Sequence, residues 1–198
     1  MIQEGAHEHT LWGLTTTDLH ARFWASRGVQ VVCPGRASEL VPHAELYLLA
    51  SERTLALFRL AGILETMEWL APTLYIARLH DTREQGYREH VDTDDDGRFL
   101  RFRRLYRGGE RRVARVGFTT DVEFAKVWQN AKDAGVGWTA LRRVVRPGDR
   151  FVATVNARLY DAADLDDADH FLRDLVRDWK RPDASIDRVR RAVPRPHP

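Results

Sequence analysis

Cysteine is almost absent: Cys33 stands alone in a chain of 198 residues. No disulfide framework and no cysteine-ligated zinc site can be built within it, so a reducing compartment is the expected setting. Lysine is scarce as well. Only Lys126, Lys132 and Lys180 contribute to the 31 basic groups, and the other 28 are arginine, the residue suited to bidentate contacts with phosphate or carboxylate. No apolar run approaches the roughly 20 residues needed to cross a bilayer, so no membrane insertion is expected. The start, MIQEGAHEHTLWG, shows no basic segment followed by an apolar one, and a cytoplasmic location follows as an expectation.

Several motifs are missing too. There is no GxxxxGK[ST] loop, no GxGxxG, no HExxH, no GxSxG and no CxxC. The commonest nucleotide, metalloprotease, hydrolase and redox signatures are therefore excluded. No cofactor is expected. An enzyme with a scattered site is left open.

What is present suits a packed domain: 43% hydrophobic and 30% charged residues. Net charge is only +2, but its distribution is uneven. Residues 1–97 carry 8 basic and 15 acidic groups, whereas residues 98–160 carry 15 basic and 5 acidic. The basic surplus thus belongs to the middle of the chain.

Periodicity places the elements. LTTTDLHARFWASRG reads as a helix capped by a threonine at 15–17 and stopped by Gly28, and VQVVC (29–33) as a strand. AELYLLA (44–50) and RTLALFRL (53–60) read as two strands around a turn, followed by a helix over 61–70 and a strand, TLYIARLHD, over 73–81. GYREHV (86–91), GRFLRFRRLY (97–106) and ERRVARVGF (110–118) read as a three-stranded meander joined by DTDDDG and RGGE. A bulge is expected at Arg103-Arg104. A helix over 119–135 is expected to start with a capping box of Thr120 and Glu123. A short helix at 137–148, a strand at 150–160 and a strongly amphipathic helix at 164–182 complete the order. The expected fold is α+β: a mostly antiparallel sheet with hairpins, helices packed on one face. The expected division is one α+β domain over 1–182, then a short basic helix and disordered tail over 183–198.

Four groups of residues could carry chemistry. RFLRFRRLYRGGERRVARVGF (98–118) holds eight arginines and one acid. If its strands pair, Arg101, Arg103, Arg104, Arg112 and Arg115 form a basic patch with Tyr106 available to stack, and such a patch binds phosphates. His80, Asp81, Arg83 and Glu84 sit together at a strand end and are the weak candidates for general acid–base work. DTDDDGRF (92–99) matches the first positions of a calcium loop, but position 12 is Arg103 where a bidentate glutamate is needed, so an acidic hairpin turn is expected and no metal. His7 with His9, and Asp166, His170 and Asp174, have ligand-like spacing, yet a frayed terminus and a solvated helix face explain them better. Trp12 and Trp138, each beside a glycine, could offer stacking surfaces, and Cys33 has no activating base nearby in sequence.

Three blocks together, LWGLTTTDLHARFWASRGVQVV, FRRLYRGGERRVARVGFTTD and FLRDLVRDWKRPDASI, resemble a bacterial domain of unassigned activity that stands beside nucleotide-sugar and exopolysaccharide synthesis modules. The resemblance implies an accessory or regulatory domain in that metabolism and carries no catalytic residues. The expected partner is a phosphorylated small molecule or a protein. The alternatives are a nucleic-acid binder using the same arginines, and an enzyme built around His80–Glu84.

Overall fold

The computed structural model describes residues 10–179, apart from 12, 37, 38, 43, 68, 70, 83–86, 95, 97 and 107–111. The first helix forms as its sequence dictates. Thr10–Leu11 (β1) and Leu14–Thr15 (β2) pair around Gly13, and Thr15 caps Thr16–Ala25 (α1). The Thr15 hydroxyl accepts from the Asp18 amide, the Asp18 carboxylate accepts from the Thr15 amide, and both helix-end donors are satisfied. The helix ends at Ala25, and the turn that follows closes at Gly28, whose φ of 76° suits a residue without Cβ.

The remaining strands are Val29–Val32 (β3), Leu46–Leu49 (β4), Thr54–Phe58 (β5), Leu74–Asp81 (β6), Tyr87–Thr93 (β7), Phe99–Tyr106 (β8), Val113–Thr119 (β9) and Arg150–Asp161 (β10). The helices are Ala61–Leu64 (α2), Val122–Gln129 (α3), Ala134–Val144 (α4) and Leu165–Trp179 (α5). Six strands form the main sheet in the order β3-β4-β9-β6-β10-β5. β3 is parallel to β4, and β6 to β10, whereas the other three pairings are antiparallel. β7 and β8 form a separate antiparallel hairpin.

The chain is therefore α+β, but the sheet is mixed and not mostly antiparallel. Parallel neighbours need a crossover connection. Between β3 and β4 that connection is residues 33–45, pinned by Gln30, whose side chain donates to the Glu39 carbonyl and accepts from the Val41 amide. The expected three-stranded meander does not form either. β8 pairs with β7, while β9 inserts between β4 and β6. β4 and β5 share a short turn but sit far apart in the sheet, because β5 pairs with the end of β10. The irregularity in the hairpin falls between Asp92 and Thr93, not at Arg103-Arg104.

Helices cover both faces, where one was expected. Alternation sends Leu46 and Leu48 of β4 into the larger core, with Leu19, Phe23 and Trp24 of α1 and Phe171 and Leu175 of α5. Tyr47 and Leu49 of the same strand enter a second cluster with Ala125 and Trp128 of α3 and Leu141 of α4. β4 is buried along its whole length for this reason. Three further expectations shift. The helix at 61–70 is a single turn, the capping residue of α3 is Asp121, which accepts from the Glu123 amide, and residues 119–135 and 137–148 resolve into α3 and α4 with Asp133 capping the second. α5 follows Asp164, whose carboxylate accepts from the Asp167 amide. The expected C-terminal helix and tail lie outside the described residues. Among the described residues no helix is long and apolar enough to cross a membrane.

Candidate functional site: an arginine row on the open sheet face

The helices α3 and α4 cover only part of their face of the sheet. In β6, Ala77 and Leu79 are buried toward the larger core, so Ile76, Arg78 and His80 point the other way. In β9, Val116 and Phe118 are buried, so Val113, Arg115 and Gly117 share that opposite face. Register then fixes three rows across β9, β6 and β10: Gly117, Ile76 and Val152; Arg115, Arg78 and Thr154; Val113, His80 and Asn156.

Trp138 of α4 closes the first row. A Cβ on Gly117 would lie 3.2 Å from the Trp138 ring, so the helix rests directly on the glycine backbone. The cover ends there. Arg78, Arg115, Thr154 and Asn156 are exposed, and Val152 is 73% exposed. The Arg115 guanidinium carbon stands 5.7 Å from the centre of the Trp138 ring, which flanks the row on one side.

Arg78 and Arg115 are direct Cα partners in the antiparallel β6–β9 pair. Like charges placed opposite one another on one face repel. Neither has an ion-pair partner among the described residues, whereas Arg36, Arg53, Arg101, Arg112, Arg158 and Arg177 each meet an aspartate. Two guanidinium groups, a histidine, a threonine hydroxyl and a side-chain amide form a donor-rich surface matched to the oxygens of an anion.

Of the six arginine-patch residues singled out in the sequence, the structure puts one, Arg115, in this row. Arg101 lies on β8 and pairs with Asp92 at 3.0 Å. Arg103, Arg104 and Tyr106 are on the same strand, registered with His90, Glu89 and Tyr87, and their side chains lie outside the described residues. Arg112 bonds to Asp167, a carboxylate only 2% exposed that also accepts from the Asp161 amide. This pair ties Arg112 to α5. Arg78 was missed in the sequence. Its signal was the alternation in LYIARLHD, which sets Arg78 and His80 two residues apart on the face opposite the buried Ala77 and Leu79.

His80 and Asp81 follow one another in β6 and so point to opposite faces. His80 joins the rows above, and the Asp81 carboxylate accepts from the Leu159 amide at 3.3 Å. Arg83 and Glu84 lie outside the described residues, as do His7, His9 and Trp12. The acidic stretch forms a turn closed by its own side chain: Asp94 accepts from the Asp96 and Arg98 amides at 3.1 and 2.8 Å. Asp174 is held by the Tyr160 hydroxyl at 2.5 Å and by Arg158 and Arg177, which removes it from any set with Asp166 and His170. Among the described residues no cluster of three His, Cys, Asp or Glu could hold a metal ion.

A second concavity, of about 220 Å³, lies between α1, β3 and the β4–β5 turn and is lined by Asp18, His20, Cys33, Arg36 and Glu52 among others. Its chemistry is quiet. Burial pushes the Cys33 thiol up to about 11, away from the reactive thiolate. Burial also pushes His20 down to about 4, so the imidazole is neutral.

The chain matches no known family model and no curated protein sequence.

Proposed function

We propose that this chain is a binding domain that takes the phosphate groups of a small molecule on its open sheet face, at Arg78 and Arg115. The observation that carries the reading is the pairing of these two arginines on an exposed face with no carboxylate partner among the described residues. An arrangement that is repulsive when empty becomes favourable when an anion bridges it. His80, Thr154 and Asn156 supply further polar groups, and Trp138 supplies an aromatic wall for a base or sugar.

Nucleotide sugars are the first ligand class to test. The resemblance of the three sequence blocks to a domain that accompanies nucleotide-sugar and exopolysaccharide synthesis supports that choice, with an accessory or regulatory role in bacterial polysaccharide metabolism. A single-stranded nucleic acid fits less well. Proteins that bind one on an open sheet face stack its bases on aromatic side chains. Here the described residues of the three rows include no Phe, Tyr or Trp, and Trp138 stands at the rim.

A thermal-shift screen at low salt with nucleotide sugars, sugar phosphates, nucleotides and short DNA and RNA tests the proposal. A ligand at 100 times its Kd adds about 2.7 kcal/mol, a clear rise in Tm. The expected result is a rise with a phosphorylated small molecule that is lost in Arg78→Ala and in Arg115→Ala. A rise with nucleic acid alone, falling steeply with salt, contradicts the small-molecule reading. So does the absence of any rise.

A further inference from the structure

Helix α4 forms one wall of the open sheet face, and its C-terminal end is tied to β10. The Arg150 guanidinium donates to the Val145 carbonyl at 3.0 Å and also to the Arg142 carbonyl. Arg150 stands two residues before Val152 on β10, on the face that carries the rows. Earlier on the helix, Trp138 rests on Gly117 of β9. α4 thus runs along the first row, from β9 toward β10.

Gly137, Leu141 and Val145 are buried on the underside of this helical stretch. Trp138 and Arg142, four residues apart, are neighbours along one side of that stripe. Helical side chains tilt toward the N-terminus, so Arg142 inclines toward the Trp138 ring. The same ring has the Arg115 guanidinium carbon on its sheet side, 5.7 Å from its centre. Arg142 is exposed and, like Arg78 and Arg115, has no ion-pair partner among the described residues. A basic residue in the last turn commonly serves the carbonyls of the helix end. Here Arg150 makes those contacts, and they do not account for Arg142.

We infer that Arg142 is a specificity-determining residue of the arginine row, which selects a ligand with two linked phosphate groups over one with a single phosphate. One phosphate bridges Arg78 and Arg115. The second lies along Trp138 and meets the guanidinium of Arg142. This role rests on the proposed reading of the row and narrows its ligand class to a diphosphate, such as that of a nucleoside diphosphate sugar.

The test titrates the intact chain with UDP-glucose and with UMP at one low salt concentration. Near neutral pH both ligands carry about two negative charges, so general attraction to a basic surface does not separate them. Arg143→Ala is the control, because Arg143 is exposed on the same helix but turned away from the buried stripe. The expected result is that the wild type binds UDP-glucose about tenfold tighter than UMP. Arg142→Ala brings UDP-glucose down to the affinity of UMP and leaves UMP unchanged, which also shows that the variant is folded. Arg143→Ala alters neither, and Arg78→Ala loses both. Equal wild-type affinities, an equal weakening of both ligands by Arg142→Ala, or the same effect from Arg143→Ala overturns the role of Arg142. Loss of both ligands in Arg78→Ala with no effect of Arg142→Ala overturns that role alone. Failure of the wild type to bind either ligand overturns the arginine row as a phosphate site, and the role of Arg142 with it.

Discussion

Trp24 donates its indole N–H to Nε2 of His20, four residues earlier on α1, at 2.9 Å. The indole can only donate, so Nε2 must be an acceptor. The Ala56 amide lies 3.2 Å from the same nitrogen and donates to it as well. A buried imidazole used in this way must be neutral, in agreement with a pKa pushed down to about 4 by burial. The Ala56 carbonyl stands 3.1 Å from the same nitrogen and would accept from it on protonation, which offsets part of the cost of burying the charge.

A pH dependence follows, and its direction can be worked out. His20 in the folded chain titrates below the ordinary histidine value of 6.5. Between those two values the unfolded chain binds the proton and the folded chain does not, so stability falls as pH falls through that window. His20 alone is expected to remove about 2 to 3 kcal/mol between roughly pH 7 and pH 4.5. Denaturant unfolding of the wild type and of His20→Gln checks this. The variant is weaker at neutral pH, and the gap between the two closes on acidification. Parallel curves would show that His20 does not titrate with unfolding.

Gly137→Ala is expected to destabilise the chain although it places a better helix former in α4. The exchange ordinarily gains up to about 1 kcal/mol. At this position the new Cβ would lie 2.6 Å from the ring of Trp128, which is fully buried. Overpacking of a core costs about 1 to 3 kcal/mol and outweighs the gain. The check is a lower Tm for Gly137→Ala, set against Gly62→Ala, where the added Cβ meets nothing within 4 Å.

Arg112 separates structure from binding. Removing its guanidinium leaves the Asp167 carboxylate, 2% exposed, without this ion pair. Breaking a fully buried pair costs about 3 to 5 kcal/mol, and since Arg112 is 44% exposed a smaller loss of about 1 to 3 kcal/mol is expected for Arg112→Ala. Ligand affinity, measured by titration calorimetry below the melting range, stays at the wild-type value. A large loss of affinity with little loss of stability would return Arg112 to the binding surface.

Cys33 is expected to be slow toward alkylating and disulfide reagents in the folded chain at about pH 8, because a thiol held near 11 has little thiolate there. Denaturant should restore ordinary reactivity. Rapid labelling of the native chain would contradict the burial that sets this value.

Much of the fold could be read from the sequence wherever one element decides its own geometry. The cap of Thr15 and Asp18, the turn closed at Gly28 and the apolar stripe of α5 are local, and they stand close to where periodicity put them. The alternation in LYIARLHD likewise matches the two faces of β6. What could not be read was which strand lies beside which. β9 follows a hairpin in sequence, yet it bonds to β4 and β6, because pairing is decided by two-sided burial of Val116 and Phe118 under α1 and α5 and of Gly117 under Trp138. The same error dispersed the arginine patch. With β8 and β9 imagined side by side, Arg101 and Arg115 share a face. With β9 beside β6, the neighbour of Arg115 is Arg78.

The most direct test of the account compares the melting temperatures of the wild type and Arg78→Ala, each with and without a saturating nucleotide sugar. An exposed arginine kept for structure stabilises the empty chain, whereas one kept for a ligand need not. The account predicts that without ligand Arg78→Ala melts at or slightly above the wild type, since a like-charge pair costs a few tenths of a kcal/mol to about 1 kcal/mol. With ligand, only the wild type should gain stability. A variant that melts well below the wild type when empty, or that keeps the full ligand-induced rise, would contradict the claim that the arginine row is the binding site.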